Sequence, residues 1–113
     1  MMTIFDVIAD PTRRIILDLL RDRPRIVSEL VAELEISQPG VSKQLRILRE
    51  ADLVTVQQEG RKRLYVLTPK PLSELDQWLA NYRQLWEDRY DRLDVYLEEI
   101  KQSEKEDSND NTE

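Results

Sequence analysis

A chain of 113 residues with a formal net charge of -6, no cysteine and no histidine has room for a single hydrophobic core. Without cysteine there is no disulfide, thiolate nucleophile or thiolate metal ligand, and without histidine the commonest acid-base group and metal ligand is missing; no catalytic residue, metal site or cofactor is therefore expected, and the chain reads as a non-enzyme. No run approaches the roughly 20 apolar residues of a membrane helix, and no basic segment with a following apolar run marks a signal for export, so a cytoplasmic protein with no membrane partner is expected.

Ile4 to Ala9 reads as a short helix with Ile4, Phe5 and Ile8 on one side. It ends at Asp10-Pro11, where the aspartate can cap a second helix and the proline suits its first turn. Ile15, Ile16, Leu19 and Leu20 form an apolar stripe along that helix, which breaks at Asp22-Arg23-Pro24. Ser28 is placed to cap a third helix containing Leu30, Val31 and Leu34, and residues 35 to 37 supply a turn. Ser37 is placed to cap a fourth, in which Val41, Leu45 and Leu48 share one face. At about 100° per residue that face leaves Pro39, Lys43, Arg46 and Glu50 pointing away from the core, with Ser42 on the flank and Gln44 bordering the buried side. Leu53 to Gln58 and Lys62 to Leu67 are β-rich and separated by Glu59-Gly60-Arg61, a hairpin signal.

After Thr68-Pro69 a helical pattern holds for about 30 residues. Leu72, Leu75, Leu79, Tyr82 and Trp86 alternate three and four apart, and Leu93, Leu97 and Ile100 resume the series, which makes a seam that needs a partner. From Lys101 to Glu113 there is no apolar residue, and such a composition cannot offset the entropy of ordering. The expected organisation is one domain over 1–100 and a disordered acidic tail over 101–113.

Charge is unevenly placed. Residues 38–67 hold six basic and three acidic side chains, whereas 68–113 hold six basic and thirteen acidic, so an acidic whole is compatible with a basic face. Two short helices joined by a tight turn and followed by a basic hairpin form a winged helix-turn-helix: mainly α with a small β-hairpin wing and a long C-terminal dimerisation helix. Such a unit lays its second helix in the major groove of double-stranded DNA. Gln38, Ser42, Lys43 and Arg46 are the available readers, with Ser37 as a cap and Gln44 at the border; Arg61, Lys62 and Arg63 reach flanking phosphates or the adjacent minor groove. Gln38 and Ser42 are evenly divided between base edges and phosphates.

The segments ADPTRRIILDLL at 9–20, SELVAELEISQPGVSKQLRILREADLV at 28–54, GRKRLYVL at 60–67 and WEDRYDRLDVYL at 86–97 resemble the ArsR-type winged-helix repressors. The resemblance implies a homodimer that represses transcription by covering a promoter, joined through its first and last helices; Ile4, Phe5, Ile8, Leu75, Leu79, Tyr82, Trp86, Leu93 and Leu97 are the expected interface. Gly40 stands where the family usually has Ala or Thr, and Gln44 where it usually has His. The metal sensors of the family carry cysteines in the segment aligned with Ile26 to Leu30, where this chain has Ile26 and Ser28, and the last helix has no histidine. The chain resembles the metal-independent branch, and its effector is left open. Against this stand a small-molecule pocket among Trp78, Tyr82, Trp86, Tyr90 and Tyr96, a hard cation on Glu87, Asp88, Asp91 and Asp94, and a protein-interaction module that kept the winged shape without binding DNA.

Overall fold

The computed structural model describes residues 2–110, excluding the side chains of 90, 91 and 104–110. In chain order these residues form α1 (Ile4–Ala9), α2 (Pro11–Asp22), α3 (Val27–Leu34), α4 (Gln38–Glu50), β1 (Val54–Glu59), β2 (Lys62–Leu67), a 3-10 turn (Lys70–Leu72) and α5 (Ser73–Asp110). The expected class, helical with a two-stranded antiparallel hairpin, is the one observed. The chain divides into two compact units that meet after Asp76.

In the first unit Thr3 and Asp6 box the start of α1, the Asp6 carboxylate accepting from the Thr3 amide at 2.9 Å. Asp10 caps α2 by accepting from the amides of Thr12 (2.8 Å) and Arg13 (3.3 Å), with Pro11 in the first turn. The core is built from Val7 of α1, Ile16, Leu17 and Leu20 of α2, Leu30 of α3, Val41, Leu45 and Leu48 of α4, and Leu53, Val54 and Tyr65 around the hairpin.

Three local expectations are corrected. Ile4 is 8% exposed and packs in this core beside Val7, because residues three apart share a helix face; the outer side of α1 carries Phe5, with Ile8 half-buried. On α2 the buried stripe is Ile16, Leu17 and Leu20, and Ile15 is 49% exposed. Ser28 caps nothing: α3 begins at Val27, the flanking residue is Ile26, and the Glu29 carboxylate reaches back to accept from the Ile26 amide at 3.5 Å.

Glu35 ends α3 in the left-handed region, φ 54°, and the chain turns through Ile36 and Ser37 into α4. The strands pair from Val54 with Leu67 to Glu59 with Lys62, leaving Gly60 and Arg61 as a two-residue turn, one residue tighter than the expected loop. Gly60 supplies the positive φ of 65° at its first position, as two-residue hairpin turns demand. Arg25 adds a one-residue bridge to Tyr65, with bonds of 3.1 and 2.8 Å, which anchors the hairpin to the segment between α2 and α3.

Leu72 and Leu75 pack partly against the core of the first unit, so Leu75 is less open to a partner than expected. The second unit is helical through Asp110, where composition alone predicts a disordered tail from Lys101; residues 111–113 lie outside the described ones. Lys, Gln and Glu are good helix formers, and extending an existing helix requires no new nucleus. Along this helix Tyr82, Trp86, Leu93 and Leu97 are exposed, and Leu79 is half-buried. Trp78 and Tyr82 meet as a tilted pair with ring centroids 5.1 Å apart.

Candidate nucleic-acid interface

The candidate surface is assembled from α4 and the hairpin, both in the first unit. Ser37 caps α4, its Oγ accepting from the Gly40 amide at 3.3 Å. That amide is one of the donors a helix N-terminus leaves without a partner. Gly40 itself answers to a close approach: a Cβ there would lie 2.8 Å from Ile36 Cγ2 and 3.2 Å from Ser37 Oγ, so the turn into α4 is tighter than Ala or Thr would leave it. Burial of Val41, Leu45 and Leu48 then fixes the rotation of the helix. Gln38, Ser42, Lys43 and Arg46 are left exposed in consequence.

Arg61, Lys62 and Arg63 are exposed at the turn and the start of β2. The turn is braced by Gln58, whose Nε2 donates to the Gly60 carbonyl at 2.9 Å. Among the described residues, none of Lys43, Arg46, Arg61, Lys62 and Arg63 is engaged in an ion pair, so their charge is available to an external anion. Gln44 differs from the others. It is half-buried, and its Oε1 accepts from Arg13 at 2.9 Å.

Two buried arginines that sequence reasoning missed hold this surface in place. Arg13 bonds to the end of α1 and to α4 and lies 3.5 Å from the Asp10 carboxylate. Arg25 pairs with Asp22 at 3.2 Å and Glu33 at 3.9 Å while its backbone carries the bridge to Tyr65; its Nε is buried without a partner. Next to it Arg23 bonds to Glu29 at 2.7 Å and holds that carboxyl below its ordinary range. The signal for Arg13 was present: with Ile16, Leu17 and Leu20 it falls at the i, i+3, i+4, i+7 positions of the inner face. A charged side chain is rarely fully buried unless it is paired, which is why the position reads as surface.

Among the described residues no three Asp or Glu side chains are grouped to hold a metal ion, and no helix is long and apolar enough to cross a membrane.

Residues 10–56 match the family described as bacterial regulatory protein, arsR family. Over 82 residues the chain is 33% identical to the transcriptional repressor SdpR of Bacillus subtilis, covering 73% of this chain and 91% of that protein. A crystal structure of a possible transcriptional regulator for arsenical resistance superposes with a TM-score of 0.63 at 38% identity, covering 82% of this chain and 94% of that one. The solution structure of a homodimeric winged helix-turn-helix DNA-binding domain from Mycobacterium bovis shares the fold, with a TM-score of 0.55 at 23% identity over 69% of this chain and 72% of that one.

Proposed function

The chain belongs to the ArsR family of bacterial regulatory proteins, DNA-binding transcriptional regulators and not enzymes, and from that premise we propose that it is a repressor that binds a two-fold symmetric operator as a homodimer. The observation that carries this reading is the set of five unpaired basic side chains on α4 and the wing of one compact unit, in a protein whose net charge is negative. Phosphate binding rewards such a local excess of Lys and Arg through counterion release. A winged module that had given up DNA for a protein partner would have no use for Arg61-Lys62-Arg63 beside Lys43 and Arg46.

Within the site, Lys43 and Arg46 enter the groove, Gln38 and Ser42 lie at the N-terminal end of α4 where base edges come within reach, and the wing residues hold flanking phosphates. The α4 N-terminus, with Ser37 as its cap, adds its dipole to the attraction for phosphate. Replacing Lys43 and Arg46 together by Ala abolishes sequence-specific binding and leaves the melting temperature unchanged, because neither side chain contributes to the core. A double variant that protects the same DNA as the wild type removes α4 from its role.

Dimerisation is supported by the open apolar face of the second unit, Tyr82, Trp86, Leu93 and Leu97, which a second copy covers most economically because isologous pairing buries the same surface twice. In the first unit, Phe5 on the outer side of α1 is 37% exposed and is a candidate contact of its own. Control by a soft metal is disfavoured by the ligand set, with no Cys and no His in the chain. Zinc, cadmium, nickel or arsenite titrated at low micromolar level into a preformed complex leaves the DNA bound; stoichiometric release by any of them overturns this part of the reading.

A further inference from the structure

We propose that Arg13 is the positioning residue that sets the pose of the recognition helix, and that Gln44 serves DNA binding through Arg13 and not by touching a base. The inference rests on the DNA-binding reading above and goes beyond it by assigning roles to two residues of the scaffold behind the interface.

Arg13 is 7% exposed. Its Nε donates to the Val7 carbonyl at 2.6 Å and its Nη2 to the Asp6 carbonyl at 3.1 Å, while Nη1 donates to Gln44 Oε1 at 2.9 Å. Asp6 and Val7 supply two of the last four carbonyls of α1, the groups that a helix C-terminus exposes. The other two, of Ile8 and Ala9, accept from Arg14 at 2.7 and 3.1 Å. Consecutive arginines of α2 thus close the end of α1, and the inner one extends its remaining arm to α4.

Chemistry fixes the orientation of the amide. A guanidinium has donors and no acceptor, so the atom of Gln44 that faces it must be the oxygen. A bidentate adenine reader uses both ends of its amide, one as donor and one as acceptor; Gln44 Oε1 already accepts from Arg13, which turns that end toward the scaffold. The flat fork of Arg13 is held in three directions by groups on two other helices, which an ammonium on a flexible stem cannot reproduce. Val41, Leu45 and Leu48 hold α4 by packing, which is non-directional. The bond from Arg13 to Gln44 is directional and ties the helix to the end of α1. A shift of α1 therefore reaches the DNA-facing helix through one side chain.

The test uses the full chain and a duplex carrying the site that the wild type selects from a random-sequence pool. Gln44→Leu lowers affinity for that duplex about tenfold, the scale of a hydrogen bond to a charged group. Gln44→Glu, which keeps an acceptor for Arg13, recovers most of the loss. In an Arg13→Lys background Gln44→Leu has no further effect, since a pair acting as a unit is non-additive. Pools selected by wild type and Gln44→Leu show the same base preferences. A Gln44→Leu pool relaxed at one position of each half-site, a Gln44→Glu variant as weak as Gln44→Leu, or additive losses overturn the inference. If Arg13→Lys does not fold, the comparison of the Glu and Leu variants and their base preferences still decides. A wild type that enriches no sequence overturns the DNA-binding reading, and this inference with it; a wild type that selects a site while the variants behave additively overturns the inference alone.

Discussion

Glu29 shows how a single surface carboxylate joins the start of α3 to the segment before it. Its carboxylate accepts from Arg23 at 2.7 Å and from the Ile26 amide at 3.5 Å. The bond from Arg23 is the main reason its pKa lies below the ordinary value of 4.5, against a smaller opposing effect of burial. A carboxyl whose pKa is depressed by folding contributes stability that is fully present above its unfolded pKa and is lost as pH falls through the folded value. The melting temperature of the wild type therefore falls more steeply below about pH 4.5 than that of Glu29→Gln, which has no proton to gain; parallel acid limbs for the two proteins would refute the assignment. The exposure of Lys43 and Arg46 was legible in the sequence, since it follows from helical periodicity and the positions of Val41, Leu45 and Leu48. The roles of Arg13, Arg25 and Gln44 were not. Beside the carboxylates three residues away, they depend on partners six to forty residues away, and a charged residue on an apolar stripe is indistinguishable by composition from one at its edge.

Among the elements, the hairpin depends most on one residue. Gly60 holds φ at 65°, and nothing lies within 4 Å of where a Cβ would stand, so a substitution there meets strain in the backbone and no clash. Gly60→Ala costs about 1 kcal/mol in chemical denaturation, and Gly60→Asn costs less because Asn tolerates the left-handed region. Equal stability of Gly60→Ala and wild type would mean that the turn has another shape. The helices of the first unit were readable where capping chemistry is explicit, as at Asp10-Pro11 and Ser37. At the start of α3 the obvious candidate Ser28 is inside the helix, and the cap is supplied by Glu29, which as the third residue of α3 can turn back on the amide before the helix. That α5 runs past Lys101 to Asp110 has a different reason. Absence of apolar residues argues against a packed core, but extending a helix that is already formed requires no new nucleus.

For the whole molecule, the two units pose one requirement each: a basic surface on the first that needs an anionic polymer, and an apolar face on the second that needs a cover. The proposed homodimer on a two-fold operator answers both, because isologous pairing covers the same apolar face on each copy and a dimer carries two recognition helices. That both requirements could be read from the sequence follows from their physical basis, in which charge distribution and a three-four apolar alternation are local patterns; the face of α1, where Ile4 proved to be core and Phe5 surface, needed the tertiary packing. The account is tested most directly by selecting sequences from a random duplex pool with the wild-type protein and measuring the stoichiometry of the selected complex. An inverted repeat with half-sites about one helical turn apart, bound by two copies of the chain with an affinity that falls steeply with salt, is the predicted result; no enrichment, or a single asymmetric half-site bound by one copy, would contradict it.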